Sequence, residues 1–332
     1  MKYLSLAIAL LAAAGFAQEG EYRILKTAKV GGAGGFDYVY ADAAGRKLYV
    51  PRPGNPARVS VFDLDTLAPV GEIAGTNARG VAVSTKSNHG FASSKPVAMW
   101  DATTLKPIKT IDVDGGPDGI LYDPYNDQVW VFSHRAPNAT VIKASDGTIA
   151  GTVDLGGAPE QAVSDGNGHL YVDIEDKDKI AVVDAKTLEV TGRLDLTGSG
   201  GTCAGLAFDS KNRILFATCR LPQTMVVLNA DGGRVIATLP IGNGTDGAVF
   251  NPDTMEAFSS QGDGTLTIVK EHSPTSFTVA QNLSTMKSAK TLTLDSKTGR
   301  ILLIGAEFGA AAAGQRRGPM VADSFTILAV GK

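Results

Sequence analysis

One pattern recurs seven times along the chain, at intervals of about forty residues, and few folds can accommodate it. Its clearest copy, residues 46–73, reads RKLYVPRPGNPARVSVFDLDTLAPVGEI. A β-branched and aromatic run is followed by a turn. An alternating apolar–polar strand comes next, then the break Asp65-Thr66-Leu67 and a last short strand. The seven units open with FDYVYAD (36–42), ARGVAVS (78–84), PDGILYD (117–123), PEQAVSD (159–165), CAGLAFD (203–209), TDGAVFN (245–251) and AKTLTLD (289–295). Second strands follow as KLYV, GFAS, VWVF, HLYV, ILFA, EAFS and ILLI. Third strands such as VSVFDL, KIAVVDA and MVVLNA come next, and fourth strands such as VGEI, PIKTI and VTGRL close each unit. Four strands per unit at this period predict an all-β, seven-bladed β-propeller with four-stranded antiparallel blades. One such sheet cannot bury its apolar face alone, so neighbours must stack.

The two ends of the chain complement each other. The last unit stops at SFTILAVGK (324–332), which reads as a third strand with no fourth after it. The segment EYRILKTAKV (21–30) precedes the first unit and has strand character. It is predicted to supply the missing outer strand of the seventh blade, closing the ring and removing an open edge.

With 332 residues, 43% of them apolar and 20% charged, the chain can bury a large core. A net charge of −3 gives no electrostatic case for nucleic acid. The first residues, MKYLSLAIALLAAAGFA, carry Lys2, an apolar run and small residues at Gly15 and Ala17. They predict a signal peptide over 1–17, a single mature propeller domain over 18–332 and a periplasmic or secreted location. No later stretch could span a bilayer, and a monomer is expected. Cys203 and Cys219 fall opposite each other if the hairpin turns at Lys211. Two readings stand. One is a cross-strand disulfide, which export allows and which could contribute ~3 kcal/mol through loop closure. The other is a pair of reduced thiols near the rim.

Tyr49-Val50, Val59-Ser60-Val61-Phe62-Asp63, Thr66 and Ile73 set a motif that returns in a later unit. There it reads Tyr171-Val172, Ile180-Ala181-Val182-Val183-Asp184, Thr187, Val190 and Leu194. This pattern resembles the YVTN or YncE-like β-propeller repeat over essentially all of the mature chain. No unit keeps the full Tyr-Val-Thr-Asn tetrapeptide; Arg52, Ile174 and Cys219 stand where Asn would fall. The resemblance implies the propeller architecture and leaves the function open, since the fold hosts many roles.

In a propeller, the loops entering the inner strands and those leaving the second strands open on one face. The entering loops carry Asp37, Arg79, Asp118, Glu160, Asp246 and Lys290. The leaving loops carry Arg52, Lys95, His134, Glu175, Arg220, Gln261 and Glu307. Such a ring suits a small anionic or zwitterionic ligand, because Arg can grip a carboxylate with two hydrogen bonds. It would equally serve as a solvated network of ion pairs between blades. Period-two alternation leaves open which of these side chains face the channel. Hairpin symmetry about Tyr125-Asn126 sets Asp118 opposite His134, and Glu160 pairs with Glu175 in the same way. These four residues are candidate ligands for a divalent cation. No other cofactor is evident. The stretch 242–247, GNGTDG, matches G-x-G-x-x-G, but no helix follows it, which excludes a dinucleotide site. A low-complexity insertion, 309–323, carries Arg316 and Arg317 on the same rim. Three functions fit these features. The first is a non-catalytic exported propeller binding a small ligand or a protein partner at the polar rim. The second is a lactonase- or lyase-like enzyme using a rim-bound divalent cation. The third is an accessory subunit of a periplasmic redox enzyme.

Overall fold

A computed structural model describes residues 20–332 apart from 137, 313, 316 and 317. The expected signal peptide, Arg316 and Arg317 therefore lie outside the described residues. The strands form seven four-stranded antiparallel sheets, six of them ordered as consecutive strands, arranged as the blades of one propeller. Blade 1 comprises Tyr40–Asp42, Lys47–Arg52, Arg58–Asp63 and Pro69–Ala74. Blade 4, which carries much of the site below, comprises Pro159–Ser164, His169–Ile174, Lys179–Asp184 and Glu189–Asp195. Blades 2, 3, 5 and 6 begin with the inner strands Val81–Val83, Pro117–Asp123, Cys203–Asp209 and Thr245–Asn251 and end with the outer strands Pro107–Ile111, Ile149–Val153, Val235–Pro240 and Ser276–Ser284. Blade 7 contains Thr291–Asp295, Arg300–Gly305 and Thr326–Gly331.

Blade 7 takes its outer strand from the other end of the chain. Arg23–Lys29 pairs antiparallel with Thr326–Gly331, in register from Arg23 opposite Gly331 to Lys29 opposite Thr326. The seal extends one residue further. Tyr22 N–H donates to Gln281 Oε1 at 2.9 Å, and Gln281 Nε2 donates to the Tyr22 carbonyl at 2.8 Å. A side-chain amide thus continues the ladder into blade 6.

The core is distributed among the blade seams. Among the described residues seven apolar clusters occur, each shared by two neighbouring blades. Trp130 and Phe132 of blade 3, for example, meet Leu170 and Val172 of blade 4. Alternation along each strand sends one residue to the preceding seam and the next to the following one. Trp100 and Trp130 are both fully buried core residues. Cys203 and Cys219 face each other across blade 5 and form a disulfide.

Three inner strands, Pro117–Asp123, Cys203–Asp209 and Thr245–Asn251, match the repeated heptapeptides to the residue, while Pro159–Ser164 falls one residue short and Thr291–Asp295 two. In the first two blades they shrink to Tyr40–Asp42 and Val81–Val83. The preceding residues, Phe36 to Val39 and Ala78 to Gly80, run outside strand pairing toward the channel mouth. Each inner strand from blade 3 to blade 6 also breaks register after its first residue. The irregularities fall between Pro117 and Ile120, Pro159 and Ala162, Cys203 and Gly205, and Thr245 and Gly247. A bulge re-aims the side chains it carries. Here those side chains include Asp118, Glu160 and Asp246.

Candidate functional site: an ionic ring at the channel mouth

Nine of the expected rim residues form one chain of charge that visits every blade. Asp37, leading into blade 1, accepts from Arg79 Nη1 of the blade 2 loop at 3.0 Å. Arg79 lies within electrostatic reach of Asp118 in blade 3. His134 Nε2 stands 3.5 Å from Asp118 Oδ2 and 3.5 Å from Glu160 Oε1 of blade 4. Glu160 shares a hydrogen bond with Glu175 in the same blade. Arg220 of blade 5 bridges Glu175 and Asp246 of blade 6, one carboxylate on each terminal nitrogen. Lys290, leading into blade 7, pairs with Asp246 and acts electrostatically on Asp37, where the circuit closes.

Burial and like charge tune this ring. Desolvation pushes Asp37 up to about 6, partly offset by Lys290. Asp118 is raised by burial and by Glu160. His134 is held up at about 9, chiefly by its hydrogen bond to Glu160, so the imidazole is a cation at neutral pH. Glu160 and Glu175 share a site and split accordingly. Burial alone would raise Glu160, but hydrogen bonds with His134, Glu175 and Tyr38 hold it below the ordinary range. Glu175 rises to about 7 through burial and its bond to Glu160.

Asp118, His134 and Glu160 can each offer one ligand atom, all within 4.8 Å of one another. This is a candidate metal-binding triad of one nitrogen and two carboxylate oxygens, a donor set suited to zinc or manganese more than to calcium. A metal would have to take the place of the His134 proton. Glu175, the fourth expected ligand, stands outside the triad because Arg220 draws it toward blade 5.

Four rim candidates do not join the ring. Arg52 is only 1% exposed. It donates to the carbonyls of Gly31, Gly32 and Ala33 and lies 3.5 Å over the Phe325 ring. The guanidinium is consumed in holding the segment that leads from the closing strand to blade 1. Burial brings it down to about 10. Expected as a ligand-binding residue, Arg52 here serves as a structural tie. Gln261 is buried against Ser259 and Thr265, and Lys95 donates to the Gly115 carbonyl. Glu307 sits apart, beside a cavity at the seam of blades 6 and 7.

Three site residues went unread in the sequence. The Tyr38 hydroxyl, from the loop before blade 1, donates to Glu160 Oε2 of blade 4 at 2.8 Å and ties the two blades together beneath the ring. Gln161 donates to the Ala248 carbonyl and accepts from the backbone of Leu206 and Ala248, tying blade 4 to blades 5 and 6. Asp173 is fully buried, and neither carboxylate oxygen has a hydrogen-bond partner among the described residues. Burial, with Glu160 and Glu175 nearby, pushes it well above the carboxylate range. Its sequence signal was a charged residue interrupting the apolar strand LYVDI.

No family model matches the sequence, and no curated protein does. Among solved structures, the chain is similar to a chain in the "Crystal Structure of Mitotic Checkpoint Complex". That match has 13% identity and a TM-score of 0.72, covering 100% of this chain and 99% of the other. At that identity the likeness speaks for the seven-bladed fold alone. Among the described residues no helix is long and apolar enough to cross a membrane.

Proposed function

We propose that this chain is an exported, YncE-like propeller that binds a small anionic or zwitterionic molecule at the ionic mouth of its channel. Asp118, His134 and Glu160 would hold a divalent cation there. The observation that carries this reading is the triad, whose three donor atoms fall within 4.8 Å of one another. Its surroundings support a bound acid. Arg79 and His134 are the most exposed of the ring's cations, at 53% and 40%, and meet an incoming molecule first. A ligand carboxylate could bridge the metal and Arg79, while Asp37 faces an ammonium group. Export rests on the leader-like residues 1–17.

The test is a thermal-shift series on the mature protein, residues 18–332, stripped of metal and titrated with zinc, manganese, calcium and magnesium. Zinc or manganese should stabilise it, by about 2.7 kcal/mol at a hundredfold excess over Kd. Asp118→Asn and His134→Ala should abolish the shift while melting near the parent temperature. No shift with any of the four metals, or the same shift in both variants, contradicts the reading.

A second reading, a metal-assisted hydrolase of the lactonase kind, is favoured by one feature. Asp37 at about 6 and Glu175 at about 7 flank the triad with proton affinities suited to a general base near neutral pH. Metal-dependent lactone hydrolysis lost in Glu175→Gln would support it.

A further inference from the structure

We infer that the seam between blade 6 and the closed blade 7 holds a second, separate ligand site that takes an amphipathic carboxylate. A cavity of about 720 Å³ opens there, away from the ionic ring. That volume falls within the range of small-molecule sites. Ile24, Met286, Phe308 and Leu328 give it an apolar wall. Lys29 comes from the closing strand, whereas Lys287 comes from the loop between blades 6 and 7, so one ammonium stands on each element. Both side chains are exposed, and neither ammonium has an ion pair or hydrogen bond among the described residues. Glu307 contributes one negative charge against these two positive ones, which leaves the lining cationic.

An apolar body against Met286 and Leu328, with an acidic head between Lys29 and Lys287, satisfies each of these features at once. Because Ile24 and Lys29 belong to the N-terminal strand, such a ligand would also clamp the closure of the ring.

The probe is decanoate, with hexanoate, octanoate and uncharged decanol for comparison, measured by titration calorimetry on the mature protein. Affinity should rise about fourfold per added CH₂ as the apolar wall is covered. Decanol should bind more weakly than decanoate. The double reversal Lys29→Glu/Lys287→Glu, on exposed side chains, should weaken decanoate about tenfold or more. Met286→Trp, which fills the cavity, should abolish binding; if it fails to fold, the lysine variant decides. No decanoate binding at millimolar concentration, equal binding of decanol, or binding unchanged by the lysine reversals overturns the inference.

Discussion

Glu271 shows how burial can govern the charge of a side chain. It is 2% exposed in the third strand of blade 6, accepts from Asn212 Nδ2 at 2.7 Å and has no hydrogen-bond partner for its second oxygen among the described residues. Burial, aided by Asp209, raises it from 4.5 to about 7. The folded state therefore holds this proton more tightly than the unfolded chain does. The stabilising contribution is complete below about 4.5 and is lost as pH rises through about 7. Glu271→Gln keeps an acceptor for Asn212 and removes the titration. Chemical denaturation should find the variant more stable than the parent at pH 8, by about 1–3 kcal/mol, and nearly equal at pH 4. A variant weaker at pH 8 would contradict the assignment. Legibility at this scale was uneven. Although the ladder pairs Pro117 with Ser133 and Ile120 with Val131, so that a bulge rather than hairpin symmetry sets it, the meeting of Asp118 with His134 followed from their closeness in sequence. The burial of Arg52 did not, because it is fixed by the carbonyls of residues 31–33 and by Phe325 from the far end of the chain.

Among the elements, the closing strand joins sequence most directly to stability. Tyr22, just before it, is 5% exposed, packs edge-on to Phe258 at 5.2 Å and donates from its hydroxyl to Glu256 at 2.5 Å. Its backbone pairs with the Gln281 amide. Tyr22→Ala should cost about 3 kcal/mol, by analogy with other buried aromatic truncations. Leu25→Ala, on the exposed side of the same strand, should cost little. Equal effects in urea unfolding would mean that the strand does not seal the ring as described. The strand was legible because the last unit lacked a fourth member and EYRILKTAKV had no other partner. The inner strands were legible from blade 3 onward but not in the first two blades. There 36–39 and 78–80 carry strand-like residues yet run to the channel mouth, where Asp37 and Tyr38 contact Arg79 and Glu160. The bulges were hidden as well. Alternation assumes an unbroken period of two, and an extra residue at Asp118 or Glu160 cancels that assumption where the site begins.

Across the whole molecule, seven seams share the apolar burden, and the ladder from Arg23–Lys29 to Thr326–Gly331 joins the ends. That architecture was readable because each blade repeats one pattern. The site is different in kind. Each blade contributes one or two polar residues: Asp37, Arg79, Asp118 with His134, Glu160 with Glu175, Arg220, Asp246 and Lys290, of which Asp37, Asp118 and Asp246 hold the same place in their repeats. Only closure brings them into one circuit, so their pairing depends on contacts across the ring and no single unit encodes it. The proposed cation site is the triad within that circuit. Crystals of the mature protein soaked in manganese, with diffraction recorded at a wavelength where manganese scatters anomalously, test this directly. The expected result is one strong anomalous peak, roughly 2.0–2.3 Å from Asp118, His134 Nε2 and Glu160. A mouth with no such peak, or a peak held by other residues while the triad stays ion-paired, would contradict it.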